Sequence, residues 1–107
     1  MTESEFEQLA DDALARIEQS LEESGAEVDM ETGAGGVLEL EFDNGSKMVV
    51  NRHTAAREIW VAAKSGGFHF RWDGKAWRDT RDDSSELFAA LSKLVSLQSG
   101  KGVVLRP

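Results

Sequence analysis

The sequence predicts an α+β two-layer sandwich, with two helices packed on one face of a roughly six-stranded antiparallel sheet. Three observations carry this. Residues 37–42, 47–51, 58–62 and 68–72 alternate apolar and polar side chains, with Asn44-Gly45 and Gly66-Gly67 at two of the joints. Alternating runs joined through Asn-Gly are a strong hairpin signal, so these runs form a meander of neighbouring strands. Residues 4–24 place Phe6, Leu9, Ala10, Ala13, Leu14, Ile17 and Leu21 three and four apart with no Gly or Pro between them, as an amphipathic helix does. Residues 87–98 repeat that pattern through Leu87, Phe88, Leu91, Leu94 and Val95. Helix, strands, helix is an order that stacks both helices on one sheet face. The 107 residues are enough for one core and not for two, so residues 1–107 read as a single domain.

Each element has its own signals. Ser4 with Glu7 three residues on fits a capping box for the first helix, and Gly25 fits its stop. Residues 27–31 alternate again and read as a short edge strand, followed by a flexible turn over residues 32–36. That glycine-rich turn lacks the GxxxxGK[ST] form and has no helix after it, so it is no phosphate loop. Asp73-Gly74 turns the chain into a last strand over residues 75–79, with Trp77 as its core residue. Ser84 or Ser85 caps the second helix, beside the acids Asp82, Asp83 and Glu86. The apolar tail, residues 103–107, must pack, and the groove between the helices is the place for it.

Strand alternation also sorts side chains by face. Leu38, Leu40, Phe42, Met48, Val50, Ile59, Val61, Phe68, Phe70 and Trp72 share one face, apolar enough to be the core. Val37, Glu39, Glu41, Lys47, Val49, Asn51, Glu58, Trp60, Ala62, His69 and Arg71 share the other. Trp60 is out of place there. Either a loop or long side chains cover it, or it docks a partner, since Trp is enriched at binding hot spots.

The formal net charge is −8, and it is unevenly placed. Residues 1–31 hold eleven acids against Arg16 alone, whereas residues 32–107 hold nine acids and eleven bases. A field of that sign repels nucleic acid and acidic membranes and attracts cations and basic protein surfaces. Glu7, Asp11, Glu18 and Glu22 fall within a sector of roughly 60° on the first helix. Like charges four apart cost a helix a little stability, so the ridge is either a solvated face of an acidic protein or a surface with a use. The acids of residues 27–31 extend it if that strand runs beside the end of the helix; otherwise they protect an edge strand.

Catalytic patterns are poor. There is no Cys, which removes disulfides, thiolate metal sites and cysteine nucleophiles. His53, in a turn, and His69, on a strand's solvent face, belong to no HExxH pattern, and no serine stands in a GxSxG elbow. Paired carboxylates need a cleft to separate their pKa values, and these acids lie on a convex helix. Exposed carboxylates suit hard cations such as Mg, Ca, Mn or Fe(II), bound weakly. No apolar run reaches the ~20 residues of a membrane span. The acidic start lacks the basic and apolar regions of a signal peptide, so a cytoplasmic protein is expected.

Gly36-Val37-Leu38, Asn44-Gly45-Ser46-Lys47, Val50-Asn51-Arg52, Ile59-Trp60-Val61-Ala62, Lys64, Gly66-Gly67-Phe68-His69-Phe70 and Trp77 together resemble the frataxin family, and most closely its bacterial members. Ser4-Glu5-Phe6 and Leu9-Ala10-Asp11 extend the resemblance over nearly the whole chain. It implies a non-enzymatic, iron-binding regulator of iron–sulfur cluster assembly, whose partners are the cysteine desulfurase and the cluster scaffold protein. It also implies weak binding of Fe(II) or Fe(III) on an acidic ridge, here Asp11, Asp12, Glu18, Glu22, Glu23, Glu27, Asp29 and Glu31. Trp60 and Asn51 match the family's sheet positions for partner binding, with Glu18 and Glu22 as further contacts. A monomer that can oligomerise with iron, and a weak ferroxidase activity, are implied in the same way. Gln19, where several relatives carry an acid, and Gly25-Ala26, where some carry Asp, depart from the pattern. The alternative function is an acidic adaptor that docks a basic protein surface and whose metal binding is incidental.

Overall fold

The computed structural model describes residues 1–107. The chain runs α1 (Glu3–Ser24), β1 (Val28–Gly33), β2 (Val37–Phe42), β3 (Lys47–His53), a 3-10 turn (Thr54–Ala56), β4 (Glu58–Ala63), β5 (Gly66–Trp72), β6 (Trp77–Asp79) and α2 (Leu87–Ser99). The six strands form one sheet in sequence order, each antiparallel to the next. Both helices cover the same face. Leu38, Leu40, Phe42, Met48, Val50, Ile59, Val61 and Phe70 are buried there against Phe6, Ala10, Ile17 and Leu21 of α1 and Leu87, Phe88, Leu91 and Val95 of α2. The other sheet face carries no second layer. No helix is long and apolar enough to cross a membrane.

Several boundaries differ from the sequence expectation, each for a local reason. The capping box of α1 is Thr2 with Glu5, not Ser4 with Glu7: Thr2 Oγ1 accepts from Glu5 N and Glu5 Oε1 accepts from Thr2 N. Glu7 is unavailable for capping because its carboxylate is 3.2 Å from Arg52. Gly25 ends the helix in the left-handed region, as expected. The first strand starts at Val28 and continues through Gly33, because Thr32 and Gly33 pair with Leu38 and Val37 and leave residues 34–36 as the turn. β6 is only Trp77–Asp79, because Asp73 Oδ1 takes the amides of Lys75 and Ala76 into a turn. The cap of α2 is Glu86 rather than Ser84 or Ser85. Asp82 draws Ser84 into its own turn, and the Ser85 carbonyl accepts from Asp79 N, so the chain stays extended until Glu86, whose carboxylate accepts from Phe88 N and Ala89 N. Phe68 and Trp72 lie on the core face but are only half-buried, near the sheet's far edge.

Two polar devices fix the helix layer. The tail lies between the helices: Ser92 Oγ accepts from Leu105 N, Ser96 Oγ accepts from Val103 N, and Ser20 Oγ of α1 accepts from Arg106 N. Val103 and Leu105 are buried as a result. At the other end, buried Gln98 donates to Ser46 Oγ and the Lys47 carbonyl and accepts from Lys64 N, tying α2 to two strand turns.

Trp77 is buried and meets Phe6 edge-on, with ring centroids 6.0 Å apart. Trp77→Ala empties a core aromatic site and should cost about 3–5 kcal/mol. Chemical or thermal denaturation reads this directly, and a variant within about 1 kcal/mol of the parent would contradict the packing.

Candidate functional site

The acids of the sequence ridge fall into distinct environments. On α1, Arg52 reaches up from the end of β3 and bridges Glu7 and Asp11. Its side chain is only 17% exposed, so this is a partly desolvated clasp and not a loose surface pair. Gly36 makes room for it: a Cβ there would lie 2.7 Å from Arg52 Cγ, and its φ of 76° already favours glycine. Asp12 accepts from Gln8, and Glu23 is 3.1 Å from Arg16. Glu18 and Glu22 have neither an ion pair nor a side-chain hydrogen bond.

Strand parity separates the remaining acids from the helix. Val28 and Met30 turn toward the core, so Asp29 and Glu31 project on the open sheet face, opposite Glu41 and Glu39. They therefore do not prolong the α1 strip along one surface. Around them lies an acidic corner with one base, Lys47, 3.3 Å from Glu39. The Glu39 bond and the charges of Glu39, Glu41 and Glu31 raise the Lys47 pKa. Asp29 and Glu31 are themselves unpaired. Glu27 stands apart, next to Asp43 and 3.4 Å from Lys101. The Asp43 pKa is raised by its hydrogen bond with Glu27, and that of Glu27 is lowered by the same bond and by Lys101. Nowhere do three or more His, Cys, Asp or Glu side chains converge as a metal cage would require.

The open face also holds the aromatic site. Trp60 is directly opposite Asn51 on β3 and His69 on β5. His53 and His69 stack on its two sides, with centroids 3.8 and 4.3 Å away and planes within 8°. Trp60 Nε1 donates to Glu58 Oε1 at 2.8 Å, and Arg71 Nη2 donates to Glu58 Oε2 at 2.5 Å. Asn51 Nδ2 donates to the Arg52 carbonyl. The sequence placed Trp60 and Asn51 together correctly, but not the residues that hold the indole. His53 is the last residue of β3 rather than part of a turn, and its Nδ1 accepts from Ala56 N. The tight joint at Ala63 and Gly66 sets the register that puts His69 opposite Trp60 and Arg71 opposite Glu58, which is the signal that could have found both.

A family profile described as the frataxin-like domain matches residues 1–101. The chain belongs to the frataxin family. It is 58% identical to the iron-sulfur cluster assembly protein CyaY of Dechloromonas aromatica over 99% of this chain and all of that protein. It is 54% identical to the protein of the same name in Herminiimonas arsenicoxydans, over 99% of this chain and 97% of that one. The frataxin of Psychromonas ingrahamii, a member of the CyaY protein family, superposes with a TM-score of 0.90 at 36% identity, each chain fully covered. The frataxin fold expected from the motifs is thus the fold observed.

Burial pushes the Glu58 carboxyl up, but the bonds from Trp60 and Arg71 and the charges of Arg71 and His69 outweigh it and leave its pKa lowered. A carboxyl depressed in the folded state contributes stability that is present above the unfolded value near 4.5 and lost as pH falls through the folded value. Glu58→Gln cannot titrate, so below about pH 4.5 its melting temperature should fall less steeply than the parent's. Parallel melting curves from pH 7 downward test this, and identical slopes would count against the network.

Proposed function

We propose that this frataxin-family protein acts in iron–sulfur cluster assembly as a non-enzymatic regulator or adaptor. It carries iron, Fe(II) or Fe(III), as cargo on its acidic surface and contacts a cysteine desulfurase and a cluster scaffold protein. The observation that carries this reading is the set of unpaired carboxylates, Glu18 and Glu22 on α1 and Asp29 and Glu31 on β1, left over after other ridge acids are satisfied. Carboxylate oxygens are hard donors that suit iron and other hard divalent cations. With no three ligands converging, each site supplies one or two oxygens and water completes the coordination. Binding is therefore weak, spread over several sites and easily reversed, which fits a carrier better than a resident cofactor site. The clasped acids Asp11, Asp12, Glu23 and Glu27 join it only by giving up their present partners.

The absence of a convergent cage equally favours a second reading, in which the same carboxylates dock a basic patch of the desulfurase and metal binding is incidental. Both readings use Glu18 and Glu22. They part on whether iron binding and desulfurase binding are lost together.

Neutralising Glu18, Glu22 and Asp29 as the triple variant Glu18→Gln, Glu22→Gln, Asp29→Asn should weaken Fe(II) binding severalfold while preserving the fold, since it also relieves like-charge repulsion. Anaerobic Fe(II) titration followed by NMR reads the effect. Parent-like binding would remove these residues from the iron site. Parent-like iron binding with lost desulfurase binding would favour the adaptor reading.

Trp60 is assigned the scaffold contact, with Asn51 beside it. Its site is open to solvent on one side, so Trp60→Ala should cost well under the ~3–5 kcal/mol of a core aromatic. The same variant should weaken scaffold capture in a pull-down. A Trp60→Ala protein that melts as early as Trp77→Ala would make the indole structural.

A further inference from the structure

Glu58 is the one buried residue on the open sheet face, only 6% exposed where every neighbour of its face is half-buried or exposed. A buried carboxylate is costly unless donors surround it. Here they do: the Trp60 indole N–H and the Arg71 guanidinium donate to its two oxygens, and His69 Nδ1 lies 3.5 Å from Oε1. The donors come from β4 itself and from β5, while His53 faces Glu58 from β3 across the pairing. The result is an indole fixed on three sides, with its N–H satisfied and both ring faces covered by imidazoles.

We infer that Glu58 is the positioning residue of the docking surface, and that the partner meets a three-ring edge rather than an indole face. This rests on the assignment of Trp60 to partner docking. A ring stacked on both sides presents only its C–H rim, the electropositive part of its quadrupole. The rims of His53, Trp60 and His69 stand side by side, and the mostly exposed guanidinium of Arg71 borders them. Arg78, opposite Arg71 on β6, is matched by Asp73, whose carboxylate lies 3.4 Å from its Nε, so Arg71 supplies the exposed donors on that side. The partner surface that fits is an apolar cleft bordered by carboxylates or carbonyl oxygens. It needs neither an acceptor for the indole N–H nor a cation to lie over the ring. Holding the rings in one arrangement before contact also removes the ordering cost that a free Trp side chain brings to an interface.

The test uses the full chain with its cognate scaffold protein, measured by calorimetry, and the Trp60 indole N–H resonance measured by NMR. Glu58→Ala should weaken binding about tenfold, whereas Glu58→Gln, which keeps an oxygen for the indole, should stay within about threefold. In Glu58→Gln the indole resonance should move upfield, because a neutral acceptor bonds less strongly than a carboxylate. An unchanged resonance in that variant overturns the positioning role even if Glu58→Ala does not fold. Parent-like binding by Glu58→Ala beside weakened Trp60→Ala removes the role of Glu58 and leaves the docking reading standing. Parent-like binding by Trp60→Ala removes the docking reading itself.

Discussion

Everything in this molecule follows from burying one face of the meander under both helices. Period-two alternation sends Leu38, Leu40, Met48, Val50, Ile59, Val61 and Phe70 to the same side, and only two helices are available to cover them. Committing both to that side fixes which residues remain outside. Asp29, Glu31, His69 and Arg71 are exposed, and Trp60 is half-buried, for the same reason that the alternate residues of their strands face the core. The covered face sets stability, and the bare face is free for contact. The tail and Gln98 then fix the helix layer without adding anything to the other side.

The acidity of the first third is not uniform in space. Arg52, Arg16 and Lys101 each come from a different part of the chain and remove part of the negative field locally. What stays unneutralised is divided by the sheet's edge, with Glu18 and Glu22 on the helix side and Asp29 and Glu31 on the open side. Two separate small patches suit loose, exchangeable cations better than one tight centre.

Most of the architecture was legible because it rests on local rules: helical spacing, strand alternation and the Asn-Gly joint. What was misread depends on competition between neighbours. Ser4 and Glu7 make a plausible capping box until Arg52 claims Glu7, and Ser85 makes a plausible cap until its carbonyl pairs with β6. The candidate acids were legible as a charged strip but not as clasped or free, since the clasp on Asp11 comes from a residue 41 positions away. Glu58 was legible only as one more polar residue of a solvent face. Its burial arises from the long side chains of Trp60, His69 and Arg71 closing over it, which no periodicity encodes.

The uneven charge has a consequence for how partners arrive. With the acids concentrated in α1 and β1, and Arg71 and Arg78 at the far side of the sheet matched by Glu58 and Asp73, the excess negative charge lies to one side of the molecule. A basic surface drifting past therefore exerts a torque before it touches, and turns the acidic end toward itself. Because the Debye length is about 8 Å at physiological salt, this turning acts only in the last layers of water. There it selects which encounters are already facing the right way.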